Sequence, residues 1–305
     1  MIMKKKITIA GGSGFLGKAI SNHFLNKGYE VVVLTRGNSS LNHNIHFQHW
    51  DGKTLGDWVR KIEGSQIIIN LTGKSVDCRY TEKNKSEILS SRVDSTTVLG
   101  KAIEQLTNPP TLWLNSSTAT IYKSSFDKRM TEENGEIGDD FSMNIAKAWE
   151  KAFFESKTPE TRKVALRISL VLGENEGVLP VLTRLTKFGL GGYHGNGQQK
   201  FAWIHVKDLI QIIDFIHSNK TFDGVVNCTS PSDMNNREFM KALRSSLNVP
   251  FGIPTPKPLL EIGSFFMRTE TELILKSRFA YPKRLLDNGF QFEFKDVEKA
   301  LIDLK

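Results

Sequence analysis

The stretch "KITIAGGSGFLGKAI", beginning at Lys6, constrains the fold of this chain more than any other. A β-branched run, "KITIA", leads directly into Gly11-Gly12-Ser13-Gly14-Phe15-Leu16-Gly17. Apolar residues then recur at helical spacing (Leu16, Ala19, Ile20, Phe24) until Gly28 stops the helix. The glycines satisfy both GxGxxG and GxxGxxG, and their placement between a strand and a helix is what gives the match meaning. Glycines let the backbone turn sharply and approach a pyrophosphate, which rests on the positive N-terminal end of the helix. The last glycine lets helix and strand pack closely. Gly11, Ser13, Gly14, Phe15, Leu16 and Gly17 are therefore read as a dinucleotide cradle, rather than a plain strand–helix turn.

The second strand, "EVVVLT", refines this reading. A fold that prefers NAD places an acidic residue about 20 residues past the glycines, where it accepts the ribose 2′-hydroxyl. Here Arg36 occupies that place, beside Thr35, Asn38 and Ser39. A guanidinium favours a 2′-phosphate through charge-assisted bonds, so the cofactor expected is NADP(H) over NAD.

Three further runs, "QIIINL", "TLWLNS" and "KVALRI", alternate with helix-length stretches, the second helix from about Arg92 through Ile103 and the third from Phe141 through Phe154. Continuous apolar strands of this kind are covered on both faces. The alternation predicts an α/β fold with a doubly wound parallel sheet, of Rossmann type, and right-handed crossovers. Ligand sites in such sheets lie beyond the strands' carboxyl ends. That places Leu71, Thr72 and Gly73 beside the cofactor ribose and brings Ser116, Ser117 and Thr118 to the same crevice.

After about residue 170 the texture changes. "FGLGGYHGNGQQKFAW" reads as a glycine-rich loop, "IHVKDLIQIIDFIHS" as an amphipathic helix, "GVVNCT" as a late strand, and the chain from Asn236 onward as helical. The expected organisation is a nucleotide-binding domain from residues 1–168 with 203–229, and a smaller, mainly helical C-terminal lobe from 169–202 with 230–305.

Composition narrows the partners. The 305 residues carry 41 Lys and Arg against 33 Asp and Glu, a net charge of +8, but the basic residues are scattered among acidic ones. That distribution argues for a solvated basic surface over a nucleic-acid footprint, and a small molecule is the expected partner. No apolar run approaches the roughly 18 residues of a membrane helix. "MIMKKK" leads into a strand, not into the apolar region of a signal peptide, so a cytoplasmic location is expected. Cys78 and Cys228 stand far apart and outside metal-type spacing, so no disulfide framework or metal site is expected. The oligomeric state stays open.

Taken together, "GGSGFLG", "NLTG", "NSSTATIY", "RISLVLG" and "GNGQQKFAWIHVKDL" resemble the extended short-chain dehydrogenase/reductases of the nucleotide-sugar epimerase group, over nearly the whole chain. "LTGKSVDCRYTEKNKSEILSSRVDSTT", "GDDF" followed by "WE", "REFMKAL" and "YPKRLLDNGFQFEF" further resemble an atypical bacterial "epimerase family protein" branch that also occurs in eukaryotes. The resemblance implies oxidoreductase or epimerase chemistry on a small polar or nucleotide-linked substrate. It also implies a catalytic Ser or Thr, followed by Tyr-x-x-x-Lys on a helix, with the lysine lowering the tyrosine pKa. Thr118 falls on the Ser/Thr position, with Ser117 beside it. On the helix, "DDFSMNIAKAWEKAFF" puts Ser142 and Ala146 on the tyrosine and lysine positions, or Met143 and Lys147 one residue along. Tyr122 is the candidate substitute, although packing or capping is the preferred role for it. By analogy Ser169 lies near the nicotinamide, and Gln199, Trp203 and His205 line a pocket between the lobes. For His205 a helix-start role near Asp208 is the preferred alternative. Arg92 and Arg79 are candidates for an anionic substrate group, against solvated or paired roles. The missing Tyr-x-x-x-Lys keeps open a second reading, a non-catalytic NADP(H)-binding regulator or sensor.

Overall fold

A computed structural model describes residues 5–174, 176–261 and 275–305. The first four residues of "MIMKKK" and the helical continuation expected across 262–274 lie outside the described residues. The first half runs β1 (Lys6–Ala10), α1 (Phe15–Asn26), β2 (Glu30–Thr35), β3 (Ser40–Asn42), β4 (Ile45–His49), α2 (Trp58–Ile62), β5 (Ile67–Asn70), α3 (Glu82–Glu104), β6 (Leu112–Thr118), α4 (Phe141–Phe154) and β7 (Arg162–Ile168). Then follow β8 (Leu170–Leu172), α5 (Leu179–Leu185), β9 (Trp203–His205), α6 (Val206–Ser218), β10 (Gly224–Cys228) and α7 (Asn236–Ser246).

Eight strands form one sheet in the order β10-β7-β6-β5-β1-β2-β4-β3, all neighbours parallel except β3 with β4. Side chains alternate across it as the pleat requires. Ile7, Ile9, Val31, Val33, Ile67, Ile69, Leu112 and Leu114 join one core with Ile20 and Phe24 of α1 and Leu209, Ile212 and Ile216 of α6. Val32, Leu34, Ile68, Trp113 and Ala165 join the opposite core with Trp58 of α2, Val98 and Leu99 of α3, and Phe153 of α4. This double cover explains why the strands read as unbroken apolar runs. Each fully buried chain, such as Phe24 or Phe153, contributes about 1.5–3 kcal/mol.

A separate two-stranded sheet pairs β8 with β9, so Trp203–His205 joins Leu170–Leu172 and not the main sheet. Around it a third apolar cluster gathers Leu179 and Leu182 of α5, Phe239 and Leu243 of α7, and Val297 and Leu301 of the C-terminal helix Val297–Asp303. Two expectations shift. The helix expected from about Arg92 begins at Glu82, where the Thr81 side chain caps it by accepting from Asn84 N–H. The edge strands β3 and β4 had no sequence counterpart.

Chain direction across the sheet reverses beside β1, which lies between β5 and β2. Its carboxyl end is therefore the switch point at which open α/β sheets bind ligands.

Candidate functional site

Gly11 leaves β1 with φ +74°, in the left-handed region, and a Cβ there would sit 3.0 Å from the Leu71 carbonyl carbon and the Thr72 backbone. Glycine thus lets the β1 and β5 ends close on each other. At Gly17 a Cβ would lie 2.2 Å from Gly12 Cα, so only glycine lets α1 fold back on its own loop. Gly14 precedes α1 in extended conformation and offers no side-chain cap. The first-turn N–H groups of Phe15, Leu16 and Gly17 are free of intrahelical partners by the geometry of a helix end. Uncapped N–H groups under a glycine loop are what a pyrophosphate requires.

The neighbouring strand ends are held by a buried polar knot. Asn70 Nδ2 donates to Asn115 Oδ1 (2.8 Å) and Thr96 Oγ1 (3.0 Å), and Trp149 Nε1 donates to the same Thr96 hydroxyl at 3.0 Å. Asn70 Oδ1 accepts from Thr72 N–H at 3.0 Å, which fixes the Leu71–Thr72–Gly73 turn. Thr72 Oγ1 is buried without a hydrogen-bond partner among the described residues. At the end of β2, Arg36 is exposed and makes no hydrogen bond or ion pair among the described residues. Thr35 and Ser39 hydroxyls accept from Gly37 and His49 N–H, leaving their own O–H groups as donors. No acidic residue stands between Thr35 and Ser39.

The model of the NAD dependent epimerase/dehydratase family matches residues 7–228, and that of a domain of unknown function matches 255–304. The chain belongs to the NAD dependent epimerase/dehydratase family. It is 31% identical over 301 residues to the epimerase family protein YfhF of Bacillus subtilis, covering 98% of this chain and 97% of that one. To the epimerase family protein SDR39U1 of Mus musculus it is 30% identical, covering 98% and 99%. A crystal structure of human epimerase family protein SDR39U1 (isoform 2) with NADPH superposes with a TM-score of 0.88 at 27% identity, covering 98% of each chain.

Against that family background, the helix carrying the expected Tyr-x-x-x-Lys device is altered as the sequence indicates. Ala146 is fully buried, and Ser142 is half-buried. In the alternative register, Met143 is buried and Lys147 Nζ pairs with Asp139 at 2.6 Å on the surface. Tyr122 does not replace the missing tyrosine as an accessible acid or base. It is 2% exposed; its hydroxyl accepts from Arg167 Nη1 at 2.8 Å and donates to Asn227 Oδ1 at 2.9 Å. Burial raises its pKa, the opposite of what a base needs. Arg167 also grips Glu150 with Nε (2.9 Å) and Nη2 (2.8 Å), while Ser117 Oγ donates to the same carboxylate at 2.6 Å. This network, which sequence reasoning missed, fixes β6, α4 and β7 together. Its only signal was a glutamate beside Trp149 on the apolar side of α4 and an arginine following the apolar run of β7.

Ser117 is therefore committed to Glu150. Thr118 is half-buried, with Oγ1 accepting from Thr120 N–H. Ser116 is buried beside it, and Ser169 Oγ donates to the Cys228 carbonyl at 3.1 Å. The three expected inter-lobe substrate residues are all packed inside. Gln199 Nε2 donates to the His194 carbonyl (3.1 Å), Trp203 is fully buried in the third cluster, and His205 starts α6, Nδ1 accepting from Lys207 N–H at 3.1 Å. The His205 ring stacks on Phe294, 3.8 Å between centroids, and burial pulls its pKa down to about 4. A cleft of about 380 Å³ does open in front of it, walled by Phe15, Ala19, Glu174, Glu176, Lys207 and Asp303, but the imidazole itself is sealed. Among the described residues, no helix is long and apolar enough to cross a membrane.

Proposed function

We propose that this protein binds NADP(H) in the crevice between the β1, β2 and β5 ends and acts as an oxidoreductase or epimerase-like enzyme on a small polar substrate. The observation that carries the reading is the uncapped start of α1 under a glycine loop, with Arg36 in place of an acidic ribose ligand. The residues fit the cofactor. The first-turn N–H groups of α1 are uncapped, and among the described residues the Thr72 hydroxyl lacks a partner and Arg36 is uncommitted. The human SDR39U1 structure, solved with NADPH, supports the same choice.

Bound there, a nicotinamide supplies hydride chemistry. This chain's residues bind and orient. Gly11–Gly17 hold the pyrophosphate, Arg36 with Thr35 and Ser39 selects the 2′-phosphate, Leu71–Gly73 line the ribose, and Thr118 stands at the Ser/Thr position. Titration with NADPH and NADH tests the binding. Arg36→Ala should weaken NADPH by about 1–3 kcal/mol while changing NADH much less. Equal losses, or no affinity in the unmodified protein, would refute the assignment.

One observation favours a second reading, a non-catalytic NADP(H)-binding regulator. Ser142 or Met143 stands at the tyrosine position of α4, and Tyr122 is locked in a structural network, so neither α4 nor Tyr122 supplies the tyrosine of the usual proton-transfer pair. The readings part on turnover. Oxidation of NADPH by any of a panel of carbonyl compounds supports the enzyme, and none across the panel supports the regulator.

A further inference from the structure

Arg92, on α3, lies against the turn that follows β5. Nη1 donates to the carbonyls of Lys74 (3.0 Å) and Ile88 (2.9 Å), which fixes the plane of the guanidinium. Its Cζ lies 5.1 Å from the centre of the Trp149 ring, which backs it. On another side it meets Gly73, where a Cβ would stand 3.0 Å from Cζ and 3.2 Å from both Nη atoms. Burial draws its pKa down to about 10, offset in part by the nearby Tyr80 phenol. No carboxylate pairs with it among the described residues. Nε and Nη2 make no hydrogen bond, yet neither is sealed from solvent.

The same molecule contains the comparison. Arg167 uses its Nε and Nη2 edge to grip both oxygens of Glu150. Those two N–H groups are parallel and match the spacing of two oxygens on one planar or tetrahedral anion. In Arg92 that edge is oriented by backbone carbonyls, backed by an indole and left without a counter-ion. Desolvating a guanidinium that cannot shed its proton is unfavourable unless an anion joins it. The site adjoins Gly73, one residue from Thr72, which itself abuts Gly11 of the glycine loop.

We propose that the Nε/Nη2 edge of Arg92 is an oxyanion subsite beside the cofactor turn, which selects substrates carrying a carboxylate or phosphate group. The inference rests on the NADP(H) reading of the crevice, and the experiment separates the two. NADPH is first titrated into the full chain, and failure to bind there overturns the cofactor reading. The NADPH-loaded protein is then titrated by calorimetry with malonate and, separately, inorganic phosphate at matched ionic strength. Wild type should bind at least one of them, and whichever binds more tightly identifies the source of the oxyanion. Arg92→Met should lower that affinity tenfold or more, with NADPH affinity changed less than twofold. Arg92→Lys keeps the charge but loses the fork, and should fall between; it also keeps the test open should the methionine variant not fold. Binding of neither anion by NADPH-loaded wild type, or equal anion binding by Arg92→Met or by Arg92→Lys, overturns the proposal. So does a tenfold loss of NADPH affinity in Arg92→Met, since Arg92 would then serve a cofactor phosphate.

Discussion

Removing one member of the Glu150–Arg167 pair should harm this protein more than removing both. The two side chains are 11% and 9% exposed, and three hydrogen bonds converge on the carboxylate. At an effective dielectric near 20, opposite charges about 4 Å apart attract by about 4 kcal/mol, which offsets their desolvation only while both are present. Glu150→Ala leaves a guanidinium between α4 and β7 without its anion, and should lower stability by about 3–5 kcal/mol. That is a large share of the roughly 5–15 kcal/mol available to a folded chain. Arg167→Met should lower it by a similar amount, because Glu150 then keeps only Ser117. The double variant Glu150→Leu with Arg167→Met fills the space with apolar atoms and should lie within about 2 kcal/mol of wild type. Urea unfolding followed by circular dichroism and tryptophan fluorescence measures all three, provided that both probes give coincident transitions. A double variant as unstable as the sum of its singles would show that the side chains stabilise independently and that charge compensation is not what holds them.

Two further outcomes follow from the geometry. Gly17→Ala places a methyl 2.2 Å from Gly12 Cα, and a backbone cannot yield as a flexible side chain would. Melting should show a loss of at least about 1–3 kcal/mol and NADPH titration a large drop in affinity, whereas wild-type values for both would contradict the close approach. His205 has a folded pKa of about 4 against an ordinary 6.5, so the fold favours its neutral form. Its stabilisation is complete above about pH 6.5 and is lost as pH falls towards 4, by at most about 3 kcal/mol. Burial lowers His194 and His217 in the same direction. His205→Asn, which retains an acceptor at the start of α6, should therefore lose less stability than wild type between pH 7 and pH 4.5; parallel losses in unfolding titrations would remove His205 from the account.

What could be read from the sequence follows the range of the forces involved. β1, β2, β5, β6 and β7 were legible because both faces of each strand are buried, which leaves a mostly continuous apolar run that needs no partner to be seen. The glycine loop was legible for a related reason, since its requirement is local: a backbone that turns and approaches. β4 was not, because "IHFQH" is short, lies near the sheet edge and carries three polar side chains in five, so it offers no apolar run. The first ten residues of α3, "EKNKSEILSS", are nearly all polar, so the apolar periodicity begins near Arg92 although the helix begins at Glu82. Tyr122 and His205 take the packing and helix-start roles preferred for them, but the surroundings of these two, and of Gln199 and Trp203, were not legible. Their roles are set by residues distant in the chain: Tyr122 by Arg167 and Asn227, 45 and 105 positions away, and His205 by Phe294. A polar aromatic at a strand end has the same local signature whether it faces substrate or another buried side chain.

The crevice therefore has two unequal halves. Its binding half is assembled from short-range features, the glycine turn, the uncapped helix and Arg36, all of which complement negative charge. Its proton-transfer half lacks the tyrosine on α4, where Ser142 and a sealed Ala146, or Met143 and a surface-paired Lys147 one residue along, stand at the expected positions. An unassisted serine or threonine hydroxyl is a weak acid and a weak base at neutral pH. On the enzyme reading proposed above, α4 and Tyr122 do not supply the proton of a hydride step, and another group, the substrate or water has to. Arg92 is suited to that requirement, because a bidentate grip orients a substrate without taking part in proton exchange. On the proposal for Arg92, a guanidinium holding one end of an anionic substrate contributes orientation next to the nicotinamide, while the proton of a hydride step still needs a separate donor.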